Sequence, residues 1–103
     1  MFVTAQGTPL TRFRRAIETR SLLLAELAAR ECGRLPLEDV LSLVLLYAAE
    51  RSPKFDRAAV RFLGRLCDGG ERTVADLHLA AAALASVRDR PDVAVHVLRT
   101  LLR

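Results

Sequence analysis

Histidine is the residue type that most often binds a metal or acts as a general base, and this sequence has two, His78 and His96. Both fall on the two helices that we predict nearest the end of the chain. If these helices fold back on each other at Asp89-Arg90, the two imidazole rings are offset by about 7 Å along the helix axes. A shared metal ion needs converging ligands, so this offset argues against a common site.

The two cysteines are Cys32 and Cys67, and neither belongs to a CxxC pattern. Each is near the end of a predicted helix and has apolar neighbours in the sequence. We therefore predict two buried free thiols in a protein of the reducing cytoplasm. Two thiols do not complete a zinc site, and neither histidine is placed to complete it. The sequence thus predicts neither a metal ion nor another cofactor.

Signatures of nucleophilic catalysis and of phosphate binding are missing from the sequence. None of the four serines lies in a GxSxG pattern, which would expose its hydroxyl at a sharp turn. The pair Gly69-Gly70 precedes Glu71, Arg72 and Thr73 rather than the Lys-Ser/Thr of a phosphate-binding loop. We therefore expect no catalytic residues and predict that the protein is not an enzyme.

A row of basic side chains on the fourth predicted helix is the main candidate surface. Arg57, Arg61 and Arg65 follow one another at four-residue spacing, and Lys54 precedes them by one turn. Such a row on one helix face favours an anionic partner, either an acidic protein segment or nucleic-acid phosphates. The alternative is a solvated face whose arginine stems cover the edge of the core. The row points away from Phe55 and Phe62, so no aromatic residue accompanies it, and no helix-turn-helix pattern is evident, which favours this alternative.

The overall charge is a weaker indication of nucleic-acid binding than the row itself. The formal net charge is +4, and Lys54 is the single lysine beside fifteen arginines. Together with abundant alanine, leucine and valine, this bias indicates a GC-rich coding genome. A second basic cluster, formed by Arg12, Arg14 and Arg15, lies on the first predicted helix. Arginine excess that follows from codon usage says little about a partner.

The spacing of apolar residues predicts helices along the chain and no strands. We expect residues 1–7 to form a flexible arm and residues 8–103 to form one all-helical domain of about six helices. On the second helix we expect Leu24, Leu27, Ala28 and Cys32 to face inward. Capping residues or proline mark the starts of the first five helices. These signals are Thr8-Pro9, Ser21, Pro36, Ser52-Pro53, and Thr73 with Asp76, and Asp89-Arg90-Pro91 is a stop signal before the last helix.

Connections of two to six residues require neighbouring helices to form antiparallel hairpins. Three hairpins, 9–33, 36–68 and 73–103, carry Ala25, Ala58 and Ala94 in their second helices, 33 and 36 residues apart. With Phe62 four residues after Ala58, this pattern resembles tetratricopeptide-repeat proteins, whose unit is about 34 residues. The resemblance implies a short superhelix. The alternative is an ordinary six-helix domain whose hairpins have similar lengths.

The last predicted helix ends in an apolar surface. We expect Val97, Leu98, Leu101 and Leu102 to form a face that a second copy of the chain, or a permanent partner, covers. No apolar run approaches the roughly 20 residues that a membrane span requires. Residues 1–7 also lack a basic and then apolar signal sequence, so we predict a cytoplasmic protein without membrane association.

These observations favour a non-catalytic protein–protein interaction module, an adaptor or scaffold. It would bind a helix or an acidic tail of another protein through apolar grooves rimmed by arginines. The alternative is a nucleic-acid-associated regulatory protein that uses the row Arg57, Arg61 and Arg65.

Overall fold

Six α-helices make up most of the chain in a computed structural model that describes residues 7–103. The prediction of an all-α fold with about six helices is confirmed. Apart from Gly7, the predicted N-terminal arm lies outside the described residues. The helices are α1 (Pro9–Glu18), α2 (Leu22–Cys32), α3 (Leu37–Ala49), α4 (Phe55–Asp68), α5 (Val74–Ser86) and α6 (Pro91–Leu101).

Side-chain caps start three of the helices where the sequence predicts them. The Thr8 hydroxyl accepts a hydrogen bond from the backbone N–H of Thr11 at 3.2 Å, and Pro9 occupies the first turn of α1. Ser21 caps α2 in the same way. At α5, Thr73 and Asp76 each accept a hydrogen bond from the other's backbone N–H at 3.1 Å. These bonds satisfy N–H groups that the first helical turn leaves without a partner.

The fourth helix starts later than the Ser52-Pro53 signal predicts. The Ser52 hydroxyl accepts a hydrogen bond from the backbone N–H of Lys54, and its carbonyl accepts one from Phe55. Ser52 therefore closes a turn before the helix, and α4 begins only at Phe55. This turn leaves Lys54 as the residue that enters the helix, with its side chain reaching back towards α2.

Two apolar clusters form the core, and α3 contributes to both. The larger cluster contains buried residues of α3 to α6, including Val44, Phe62 and Leu98. The smaller cluster joins Phe13 of α1 and the alanines of α2 to Leu46 of α3. Helix α3 is apolar around most of its circumference because it is covered from both sides.

The inward face of α2 is only partly the one that the sequence predicts, because Ala28 and Cys32 face the smaller core cluster and two leucines do not. Leu24 and Leu27 remain 57% and 45% exposed, whereas Ala25 and Ala28 are buried against α1. The prediction that the two leucines face inward is wrong. Small side chains let two helices approach closely, and that geometry turns the larger residues outward.

The helices pair as hairpins, α1 with α2, α3 with α4 and α5 with α6, and each helix packs most extensively on its hairpin partner. Further contacts join the first hairpin to α3 and α4 to α5, giving a molecule that measures 49 × 29 × 21 Å. Within the described part of the chain, no helix is long and apolar enough to cross a membrane.

Candidate functional site

An open groove of about 500 Å³ lies between α2 and α4 and has α3 as its floor. The floor residues Val40, Leu43, Val44 and Tyr47 follow the i, i+3, i+4, i+7 spacing of one helix face. Ala29 and Ala58 contribute small side chains to the two walls. The walls also carry charged side chains from both helices. These side chains are Glu26, Arg30, Lys54, Arg57 and Arg61.

Polar bridges between the two walls define the ends of the groove. At one end, the Lys54 ammonium donates a hydrogen bond to the Glu26 carboxylate at 2.8 Å. Towards the other end, the Arg65 guanidinium donates to the backbone carbonyl of Leu35 at 2.7 Å. Glu26 precedes Leu35 on one side of the groove as Lys54 precedes Arg65 on the other, so α2 and α4 run in the same direction. The lining residues of α4 extend from Lys54 to Arg61, so the groove is about 10 Å long, or two helical turns.

The Glu26 carboxylate is held by two donors from different elements. Its Oε2 accepts hydrogen bonds from the Tyr47 hydroxyl at 2.6 Å and from Lys54. The bond from Lys54, and then that from Tyr47, lowers the pKa of Glu26 from its ordinary value. Burial, and then the bond to Glu26, raises the pKa of Tyr47. The wall therefore carries a fixed, ionised carboxylate beside a protonated phenol.

Three arginines give the remaining walls their positive charge. Within residues 7–103, none of Arg30, Arg57 and Arg61 has an acidic side chain within ion-pair distance. The charges of Arg30 and Arg61 lie close enough to the Tyr47 phenol to favour its ionised form and so oppose the rise in its pKa. An apolar floor below cations that are not neutralised suits an anionic amphipathic ligand.

Two members of the predicted basic row make contacts within the fold, since Lys54 pairs with Glu26 and Arg65 donates to the Leu35 carbonyl. Among the residues that the structure describes, the other two members, Arg57 and Arg61, have neither an acidic partner nor a hydrogen bond. Sequence reasoning missed Arg30, which faces these two across the groove. No local pattern points to it, because only the packing of α2 beside α4 on α3 brings it there.

In the second basic cluster, Arg12 and Arg14 form ion pairs that join helices. Arg14 makes two hydrogen bonds to the carboxylate of Asp39, at 2.9 and 3.0 Å, and joins α1 to the first turn of α3. Arg12 makes a similar double contact with Glu31 of α2. Arg15 is exposed at a second cavity, which also contains Leu24 and Leu27.

The histidines and cysteines are not brought together in a ligand set. His78 and His96 are exposed on α5 and α6. Cys32 is half-buried and Cys67 is exposed, so the prediction that both thiols are buried is wrong for Cys67. In the part of the chain that the structure describes, no three histidine, cysteine or carboxylate side chains could hold a metal ion together.

The candidate dimer face is smaller than predicted. Leu98 is fully buried in the larger core cluster and is not available to a partner. Val97, Leu101 and Leu102 are half-buried and pack against the same cluster. The apolar residue that α6 does expose is Val93, at the other end of the helix.

Comparison of the chain with models of protein families, with curated proteins and with solved structures gives no match. The resemblance to tetratricopeptide repeats therefore stays a prediction from the residues.

Proposed function

We propose that the protein is a non-catalytic protein-interaction module and that the groove between α2 and α4 binds an amphipathic helix of a partner protein. The observation that carries this proposal is the combination of an apolar floor with three arginines that have no acidic partner in residues 7–103. Such a helix would place apolar side chains on Val40 and Leu43, which are half-buried, and acidic ones beside the arginines.

The dimensions of the groove support a helical ligand. A length of about two turns allows anchors at positions i, i+3 or i+4, and i+7 of a bound helix. Val40 and Leu43 are half-buried on the floor, so they offer the apolar surface that such anchors would cover. An extended acidic tail would satisfy the arginines but would leave much of the apolar floor uncovered.

A designed peptide tests this proposal. The probe is a fluorescent helical peptide of about 15 residues with leucine anchors on one face and glutamates beside them. Fluorescence anisotropy should show saturable binding to the wild-type protein, weakened at least tenfold by Arg57→Glu/Arg61→Glu. The matched control, Arg90→Glu/Arg99→Glu, makes the same change in net charge at exposed positions outside the groove. Equal loss of binding in both variants, or no binding to the wild type, would refute the proposal.

Nucleic-acid binding is the second candidate, and the exposure of Arg57 and Arg61 favours it. It predicts a salt-sensitive mobility shift of duplex DNA or RNA that Arg57→Glu/Arg61→Glu abolishes. No shift at low salt would dismiss it. The engagement of Lys54 and Arg65 within the fold leaves two cations of the row for phosphates, which makes this candidate the weaker one.

Homodimerisation and a cytoplasmic location also remain proposals. The half-buried face formed by Val97, Leu101 and Leu102 supports the former, and two free thiols support the latter. A sedimentation mass equal to one chain at micromolar concentration would count against the homodimer.

A further inference from the structure

The two ends of the groove differ in charge, and this difference has consequences for the ligand. On α2, Glu26 precedes Arg30 by about one turn, or 6 Å along the axis. On the α4 side, Lys54 precedes Arg57 and Arg61, and Arg61 is about 10 Å farther along the axis. Because the helices run in the same direction, the carboxylate lies at one end and the arginines lie beyond it.

Glu26 cannot easily leave this position. Its side chain is 18% exposed, and its two donors come from α3 and from the residue that enters α4. Tyr47 is itself buried in the larger core cluster, so its hydroxyl is fixed by packing. Both donors bind the same oxygen, Oε2, and within residues 7–103 the other carboxylate oxygen receives no hydrogen bond.

The Lys54 ammonium is therefore already neutralised by a residue of this chain. A ligand carboxylate at this end would meet the second oxygen of Glu26, and like charges at short range repel. A ligand amide or hydroxyl could instead donate a hydrogen bond to that oxygen. Arg61 at the opposite end, and Arg30 and Arg57 about one turn beyond Glu26 and Lys54, can still donate hydrogen bonds to ligand carboxylates.

We infer that Glu26 is a specificity-determining residue, which restricts the groove to helices that carry acidic side chains at one end and uncharged, hydrogen-bonding side chains at the other. The inference rests on the proposed function. It adds that the partner segment has an asymmetric charge pattern and that the pattern fixes its direction in the groove. Glu26 excludes acidic groups from the end that Lys54 would otherwise offer to them.

Two peptides with identical leucine anchors test the inference by fluorescence anisotropy. The one-ended peptide has three glutamates at one end and three glutamines at the other, and the two-ended peptide has glutamates at both ends. The wild-type protein should bind the two-ended peptide no more tightly than the one-ended peptide. Glu26→Gln should bind the two-ended peptide about tenfold more tightly than the one-ended peptide, because Lys54 becomes available.

Two further variants control for net charge and for misfolding. Glu31→Gln removes another ion-paired carboxylate of α2, which binds Arg12 of α1 outside the groove, and should keep the wild-type ratio of affinities. Lys54→Met leaves Glu26 without its counter-charge and should disfavour the two-ended peptide about fivefold more than the wild type does. Glu26→Gln and Lys54→Met therefore change the ratio in opposite directions, which a partly unfolded groove would not do.

The outcomes separate the two proposals. If the one-ended peptide binds and needs Arg57 and Arg61, but Glu26→Gln leaves the ratio unchanged, the role of Glu26 is refuted and the proposed function stands. If the wild-type protein binds neither peptide, the groove is not a helix-binding site and both proposals fall.

Discussion

Glu26 links three elements through one carboxylate oxygen, so its ionisation affects stability as well as the ligand. Its pKa is lowered in the folded protein, first by the hydrogen bond from Lys54 and then by that from Tyr47. The folded state therefore binds a proton at Glu26 less readily than the unfolded chain does. This contribution to stability is fully present above the unfolded pKa of about 4.3 and is lost as the pH falls through the lowered folded pKa.

Glu26→Gln should accordingly destabilise the protein by about 1–2 kcal/mol at pH 7, because a charged hydrogen-bond acceptor is lost. The difference from the wild type should shrink as the pH falls below about 4. Urea denaturation at a series of pH values measures both effects. A difference that stays constant down to pH 3 would show that the carboxylate charge does not stabilise the fold.

The ion pair between Arg14 and Asp39 differs from that between Arg12 and Glu31 in the burial of its acid. Asp39 is only 6% exposed, whereas Glu31 is exposed on α2. Removing a partner from a buried charge leaves that charge neither solvated nor compensated. Exposed ion pairs contribute roughly 0–1 kcal/mol each.

Arg14→Met should therefore lower the urea concentration at the unfolding midpoint clearly more than Arg12→Met does, because it leaves the buried Asp39 carboxylate without its counter-charge. The two substitutions remove the same charge from the same helix, which makes each the control for the other. Equal effects in urea denaturation would contradict the role assigned to the burial of Asp39.

Helix α2 packs through its small residues and exposes its large ones. Ala25 is fully buried against α1, and Leu24 beside it in the sequence is more than half exposed. If Leu24 and Leu27 faced α1 instead, their larger side chains would hold α1 and α2 farther apart. The distance between the helices thus depends on side-chain volume rather than on the number of apolar residues.

Ala25→Leu should destabilise the protein by about 1–3 kcal/mol, since the added methyl groups have no space between the helices. Leu24→Ala, the control, removes atoms from an exposed position and should change stability by no more than about 0.5 kcal/mol. Thermal and urea unfolding measure both changes. A larger loss for Leu24→Ala would mean that Leu24 is covered in solution.

Helix α3 unites the molecule because neighbouring residues on it belong to different core clusters. Val44 packs in the larger cluster and Leu46 in the smaller one. Asp39 and Tyr47 add polar bonds to α1 and α2 from the same helix. Loss of either cluster removes the packing that keeps α3 in place.

The described residues should consequently unfold in one cooperative transition. Phe13→Leu in the smaller cluster and Phe62→Leu in the larger one should move the same transition to lower urea concentration. Each should lower the free energy of unfolding by about 1–2 kcal/mol. Tyr47 fluorescence and far-ultraviolet circular dichroism report on tertiary and secondary structure. Two separate transitions would show that the clusters are independent.

The alternation of apolar segments with capping residues determined the six helices and their hairpin pairing. Thr8, Ser21 and Thr73 mark the starts of helices because their hydroxyls satisfy backbone N–H groups within a few residues. The apolar circumference of α3 likewise indicated a helix covered on most sides. These signals act locally, or along one helix, and so they can be read without knowledge of the packing.

The groove was decided by tertiary structure alone. Arg30, Arg57 and the Glu26–Lys54 pair converge because α2 and α4 lie side by side on α3, and no spacing along the chain encodes that distance. The exposure of Leu24 has the same origin, since periodicity indicates an apolar helix face but not which part of it meets α1. Helix orientation depends on the volumes of side chains from several elements at once, and this information is not contained in any one segment.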